Sequence, residues 1–168
     1  NLYLGEHSSG VQAHLPFSQI SSLLIAAGQH VELNVGLDLI LTNLIYQASP
    51  QELRLLVIDP VSETSPFHGL PHLYSPILNE DRHVTEVLEW LSVEYRRRLS
   101  QLSRIGAQSF NEYLERSQES WMRLVLVVPD LKRLSSLQLD QLSLCVEKLE
   151  RSPHDLGLHL IMNAREIN

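Results

Sequence analysis

Leu124-Val125-Leu126-Val127-Val128-Pro129-Asp130 is a continuous apolar run stopped by a proline and an acid. Five successive apolar residues with no polar alternation mark a strand covered on both faces, as in a parallel sheet flanked by helices. The proline ends it because it has no N–H to give to the ladder. Leu53 to Ile58 repeats the pattern and stops at Asp59-Pro60, and Leu23-Leu24-Ile25-Ala26-Ala27 repeats it and stops at Gly28. These three runs are expected to be buried parallel strands. Leu158 to Met162, after a turn bracketed by Pro153 and Gly157, supplies a fourth strand.

The segments between the strands are helical in period. From Val35 to Gln47 the polar residues Asp38, Thr42, Asn43 and Gln47 occupy one narrow strip, which predicts a mostly buried helix. Between Asn79 and Leu102, Val84, Val87, Leu88, Leu91, Tyr95, Leu99 and Leu102 fall at three- and four-residue steps, with Glu94 and Arg98 as an i,i+4 pair. A short helix is expected over Ser109 to Ser117. Ser135 and Gln138 form a capping-box signature for a helix reaching about Arg151. Upstream, Leu2 to Leu4 and Val11 to Leu15 around Gly5 and Ser8-Ser9-Gly10 read as a hairpin. Val61 to Leu78, broken by Pro66, Gly69, Pro71 and Pro76, is the longest irregular stretch. Strand and helix alternate, the signature of a three-layer α/β domain with a mainly parallel sheet. One domain is expected over residues 1–168, with a hairpin over 1–16 and an α/β core over 22–165.

Composition narrows the function classes. The chain has 168 residues, 43% hydrophobic and 20% charged, which suits a globular domain rather than a disordered one. No apolar stretch approaches the roughly 20 residues that span a bilayer. A net charge of −7 repels polyphosphate, so DNA binding would need a local basic patch. Cys145 is the sole cysteine, which excludes an internal disulfide and a cysteine-based zinc site and suggests a reducing, cytoplasmic setting. The chain opens on Asn1 with no leader pattern, and the expectation is a piece of a longer polypeptide whose other parts can tether it to a membrane. Only Lys132 and Lys148 are lysines, which limits the available phosphate chemistry.

In open α/β sheets ligands bind at the carboxyl ends of the strands, after Ala27, Ile58, Val128 and Met162 here. A resemblance becomes specific around these ends. Gly36 to Tyr46, Ser49-Pro50-Gln51-Glu52-Leu53-Arg54 and Val57-Ile58-Asp59-Pro60 are similar to the motor domain of the FtsK/SpoIIIE family of DNA translocases. The similarity continues through His68-Gly69-Leu70-Pro71-His72-Leu73-Tyr74-Ser75-Pro76, the Trp90 to Arg98 helix, Arg104-Ile105-Gly106-Ala107 and Phe110-Asn111-Glu112-Tyr113, and spans about Leu4 to Arg165. The resemblance implies a RecA-like P-loop NTPase fold, a hexameric ring around duplex DNA, and ATP hydrolysis between subunits.

Its catalytic residues do not carry over. A phosphate loop of the form Gly-x-x-x-x-Gly-Lys-Ser/Thr needs glycines that let backbone amides face the phosphates, a lysine for charge and a hydroxyl for magnesium. Aligned on the following helix, Ala27-Gly28-Gln29-His30-Val31-Glu32-Leu33-Asn34 puts Ala27 and Glu32 at the glycines, Leu33 at the lysine and Asn34 at the hydroxyl. Neither Lys132 nor Lys148 lies in a glycine loop after a strand. Where the family has Asp-Glu after the third strand, this chain has Pro129-Asp130, which leaves Asp130 at the position of the water-activating acid. Where the family has Thr-Gln-Arg-Pro after the fourth, Asn163-Ala164-Arg165-Glu166 keeps only Arg165.

The remaining signals read as structural. Asp59 before Pro60 is a common strand stop as well as a match to the family motif. His68 and His72 lie in a proline-broken stretch without a third ligand, so no metal site is expected. Arg96, Arg97, Arg98 and Arg104 form the single basic cluster, read as a solvated helix face that pairs with Glu94 or a neighbouring subunit, with DNA as the alternative contact. Trp90, Tyr95 and Cys145 fit core packing. Two main readings stand. One is a degenerate, non-catalytic scaffold docked on sister ATPase domains or other translocase subunits, needing no cofactor. The other is an active ATP- and Mg2+-dependent DNA translocase that relies on Asp130 and Arg165. A protein-interaction domain unconnected with DNA is a third.

Overall fold

The computed structural model describes residues 2–27, 30–60 and 67–165. A hairpin of β1 (Leu2–Glu6) and β2 (Gln12–Leu15) precedes β3 (Ser22–Ala27), α1 (His30–Gln47), β4 (Leu53–Val57), α2 (Asp81–Ile105), α3 (Phe110–Arg116), β5 (Arg123–Val128), α4 (Ser136–Glu150) and β6 (Leu158–Arg165). The last four strands form one parallel sheet in the order β3-β6-β5-β4.

Strand alternation sorts the apolar residues into two layers. Leu124, Leu126, Val128, Leu158, Leu160 and Met162 face α2 and α4, where they meet Val84, Leu88, Leu91, Leu142, Cys145 and Leu149. Leu53, Leu55, Val57, Val125, Val127 and Ile161 face α1 and meet Leu37, Ile40, Leu41 and Leu44, with Leu2 of the hairpin fully buried among them. The expected capping box is present: the Ser135 hydroxyl accepts from the Gln138 N–H, and the Gln138 side chain accepts from the Ser135 N–H. The buried Gln138 amide also donates to the Asp81 carbonyl at 3.3 Å, which ties the first turns of α4 and α2 together. Gly106, in the left-handed region at φ 67°, closes α2.

The segment around His72 to Leu78 seals the outer edge of β4. Leu55 donates to the His72 carbonyl and Tyr74 to the Leu55 carbonyl, both at 2.8 Å, and Leu78 donates to Val57 at 2.9 Å. An open edge would otherwise offer unpaired backbone groups. His72 is buried, and its Nε2 donates to the Ala48 carbonyl at 2.9 Å.

Three expectations are corrected. The strand at Leu23 to Ala27 is parallel but lies at the edge of the sheet, with Leu24 55% exposed. The first helix is not mostly buried: Val35, Leu39 and Tyr46 face outward. The third correction concerns Arg98, which is not on a solvated face. Arg98 is 2% exposed and Glu94 7%.

The Arg98 guanidinium donates through Nε to Glu94 at 2.7 Å, through Nη1 to the carbonyls of Leu156 and Gly157 at 2.9 and 3.1 Å, and through Nη2 to Met122 at 2.9 Å. Those carbonyls immediately precede β6 and β5, so one side chain of α2 fixes the starts of both central strands. Arg97 pairs with the same carboxylate at 2.7 Å and lies over the Trp121 ring. Burial pushes the Glu94 carboxyl up, and the hydrogen bonds from Arg97 and Arg98 more than offset this, holding it below its ordinary value. Gly157 is required beside this knot: its φ is 65°, and a Cβ there would come within 2.4 Å of the Phe110 ring.

A second buried network joins the N-terminal segment to the sheet. His159 Nδ1 lies 2.6 Å from the Ile20 carbonyl, which can only accept, and Nε2 lies 3.0 Å from Arg123 Nη1, which can only donate. The ring is therefore neutral with its proton on Nδ1. Phe17 stacks on it at 4.0 Å, and Arg123 also holds Asp155 and Asn111. Burial above all, then the nearby positive charge of Arg123, lowers its pKa to about 4, against the upward pull of the Ile20 carbonyl and Asp155.

Two outcomes are expected. Arg98→Met takes a donor from the carbonyls of Leu156, Met122 and Gly157, of which Gly157 keeps the Leu124 N–H, and removes one of the two arginines from Glu94, costing about 3–5 kcal/mol in urea unfolding. Pairing it with Glu94→Gln should cost less than the sum of the two single changes. Between the unfolded histidine value of about 6.5 and the folded value, the unfolded chain takes up a proton that the folded chain refuses. Urea midpoints should therefore fall as pH drops from about 6.5 toward 4. His159→Gln should flatten that part of the profile.

Candidate functional site

Because the four sheet strands are parallel, their carboxyl ends share one edge, and α1 starts from it. Ala27 and Arg165 are register partners on β3 and β6. Asn163, two residues back on β6, is fully buried. The Ile58 N–H donates to the Val127 carbonyl at 2.9 Å, extending the ladder to the last residue before Asp59. Asp59 and Asp130 therefore leave neighbouring strands side by side.

Arg133 joins them. Its Nη1 lies 3.0 Å from Asp59 Oδ1 and its Nε 3.5 Å from Asp130 Oδ2. Both carboxylates are 12% exposed as side chains and the guanidinium 33%. Local sequence explains the placement. Asp130 is extended and caps the 3-10 turn Leu131–Arg133, its Oδ1 accepting from the Lys132 N–H at 3.1 Å. The turn carries Arg133 back over the strand ends.

The structure gathers part of the predicted site. Asp59 and Asp130 come together, on the same edge as the ends of β3 and β6. Gly28 lies outside the described residues, and for Ala27, Glu32, Leu33, Asn34 and Arg165 the backbone alone is described. The helix begins at His30 rather than Val35, so Glu32, Leu33 and Asn34 belong to α1, and only residues 28 and 29 separate it from β3. Lys132 is exposed beside Asp130. Lys148 sits in the last turn of α4, at the opposite edge, where its Nζ donates to Ser92 Oγ at 3.1 Å.

The arginines of α2 are not part of this edge. Asp81 is tied to the start of α4 at the carboxyl edge, so α2 runs away from it and carries Arg96, Arg97, Arg98 and Arg104 toward the amino edge. There Arg96 and Arg104 are exposed, while Arg98 is spent internally. The amino edge also holds a cavity of about 300 Å³ walled by Phe17, Leu44, Leu53, Phe110 and Trp121, with Arg123 at its side. Among the described residues no group of three or more His, Cys, Asp or Glu is placed to hold a metal ion, and no helix is long and apolar enough to cross a membrane. Sequence reasoning missed Arg133. Its spacing from Asp130 is visible in the chain, but its partner Asp59 lies 74 residues away.

Comparison with known proteins places this geometry. The profile of the FtsK/SpoIIIE family matches residues 34–166. The chain is 26% identical to the DNA translocase FtsK of Caldanaerobacter subterraneus subsp. tengcongensis over 161 residues, covering 95% of this chain and 23% of that protein. It is also 26% identical to the DNA translocase SftA of Bacillus subtilis over 165 residues, covering 95% of this chain and 17% of that protein. It thus spans about a fifth of these relatives. In fold it is similar to the cytoplasmic domain of the Thermomonospora curvata type VII secretion ATPase EccC, with a TM-score of 0.71 at 19% identity over 99% of this chain and 21% of that one. It is equally similar to EssC, ATPases 2 and 3, from Geobacillus thermodenitrificans, with a TM-score of 0.71 at 14% identity over 99% of this chain and 32% of that one. The chain belongs to the FtsK/SpoIIIE family, and its architecture is that of an ATPase domain of this type.

Proposed function

We propose that this domain is a degenerate ATPase domain that serves as a non-catalytic scaffold or assembly module of a translocase. The observation that carries the reading is the missing phosphate cation. Leu33 stands where the family motif requires lysine, Lys148 lies at the far edge of the sheet, and Lys132, although at the carboxyl edge, belongs to the turn after β5 and not to the loop that leads into α1. Glu32 beside Leu33 brings a negative charge to a position meant to collect anions.

The magnesium that such a fold implies fits no better. The residue before Asp130 is Pro129, which offers no ligand, and Asp130 is engaged with its own turn and with Arg133. An active translocase would need Asp130 to orient water from that position.

Partner domains of the same fold are the proposed neighbours. The similar EssC structure is described as ATPases 2 and 3, and this chain covers a minor share of its relatives. On the outer face of α1, Val35, Leu39 and Tyr46 lie at helical spacing and are exposed by 62%, 39% and 86%, a surface suited to packing against a sister domain.

Titration with Mg-ATP to millimolar concentration, run beside a phosphate-release assay with and without duplex DNA, tests the reading. No heat and no turnover are expected. Micromolar binding, or DNA-stimulated release of phosphate that Asp130→Ala abolishes, would sink it in favour of an active motor.

A further inference from the structure

We infer that residues 17–21 form a strap across the amino edge, that the neutral ring of His159 is the latch that seats it, and that protonation of this ring releases the strap and opens the two cavities it separates into one. The inference concerns the amino edge alone and stands whether or not the carboxyl edge holds a nucleotide.

The strap joins the hairpin to β3 and lies between two hollows. Phe17 walls the cavity of about 300 Å³ that Phe110, Trp121 and Arg123 also line. Ser18, Gln19, Ile20 and Ser21 wall a second, polar cavity of about 180 Å³ that His154 and His159 also line. Arg123 and His159 belong to different cavities yet lie 3.0 Å apart, so the partition between the two is one side chain thick. Beyond the burial of the Ile20 side chain, three contacts hold the strap among the described residues. Phe17 stacks on the His159 ring at 4.0 Å, the Ile20 carbonyl accepts the His159 Nδ1 proton at 2.6 Å, and the Ser21 carbonyl accepts from the Leu160 N–H at 3.0 Å. Two of these contacts are made by one imidazole. The 3-10 turn Phe17–Gln19 is too short to persist on its own once detached.

The surroundings oppose a charge on that ring. β5 presents Arg123, with Nη1 3.0 Å from His159 Nε2, and α2 presents Arg98 further off. The turn before β6 presents Asp155, held by Arg123 through both of its oxygens, and His154, whose Nδ1 lies 3.1 Å from the Gln108 carbonyl. The strap itself, Phe17-Ser18-Gln19-Ile20-Ser21, carries no charge. A proton on Nε2 would therefore meet the Arg123 N–H donor against donor and charge against charge. Seated, the ring has a pKa of about 4; released into water it returns to about 6.5. Between these values the released form takes up a proton that the seated form refuses, so falling pH favours release.

The test is amide hydrogen exchange of the whole chain, followed by NMR from pH 6.5 to 4.5 and read as protection relative to the unstructured rate at each pH. The Ile20 N–H, bonded to the Phe17 carbonyl inside the strap, reports release, and the Ile58 N–H, bonded to the Val127 carbonyl in the sheet, reports opening of the fold. Ile20 should be at least about tenfold less protected than Ile58, and below about pH 6 its protection should fall about tenfold per pH unit. His159→Gln, which can still donate to the Ile20 carbonyl but has nothing to protonate, should remove that slope. Equal protection at the two amides, a flat profile at Ile20, or a slope that survives His159→Gln would overturn the inference. If that variant does not fold, urea below the unfolding transition decides on the unmodified chain. Protection of Ile20 that ignores urea while keeping its pH slope supports a released strap, and a urea dependence matching that of Ile58 overturns it.

Discussion

The fold turns on one buried arginine. Arg98 reaches out of α2 to three backbone carbonyls that precede the two central strands, and it does so with its charge balanced by Glu94 from the preceding turn. Such a pair is costly to desolvate and becomes tolerable only when the remaining donors are satisfied, as they are here. Burial pulls the guanidinium below its ordinary pKa while Glu94 pulls it back. The consequence is geometric as much as energetic. The helix and the strands it covers cannot slide past one another without breaking several charge-assisted bonds together. Trp121 and Phe110 add ring faces 5.2 and 5.8 Å from the same guanidinium.

Three arginines divide the labour of the sheet between its edges. At the amino edge Arg98 and Arg123 hold the strand starts, the latter binding Asp155, Asn111 and the neutral ring of His159. Through His159 and Phe17 this edge also anchors the segment that follows the hairpin. At the carboxyl edge Arg133 faces two acids, with a third of its side chain still in solvent. Charge pairs of that exposure contribute far less to stability than those sealed under Trp121.

Much of this was legible in the chain. Continuous apolar runs closed by Asp-Pro, Pro-Asp or Gly placed the strands, and Ser135 with Gln138 located the start of α4, because both signals are local. Burial across the sequence was not local. Glu94 and Arg98 look the same at i,i+4 spacing whether the helix face meets water or the starts of two strands 24 and 58 residues away, and only the strand order decides. The same order made Leu23 to Ala27 an edge strand despite its apolar composition, with Leu24 turned to solvent. At the candidate site the strand-end pattern of the sequence pointed to Asp59 and Asp130. It could not show that Arg133 bridges the two acids, since that contact exists only once β4 and β5 are paired.

The separation of the two edges keeps the side chains that fix the strand starts apart from those that gather at the strand ends. The Arg98 and Arg123 networks hold the strand starts, whereas Asp59, Asp130 and Arg133 meet at the strand ends, so a change among those three leaves every bond of the amino edge in place. At the carboxyl edge the arginine comes from a turn that Asp130 itself caps, so the charge of the two acids is balanced from within the same stretch of chain that presents one of them.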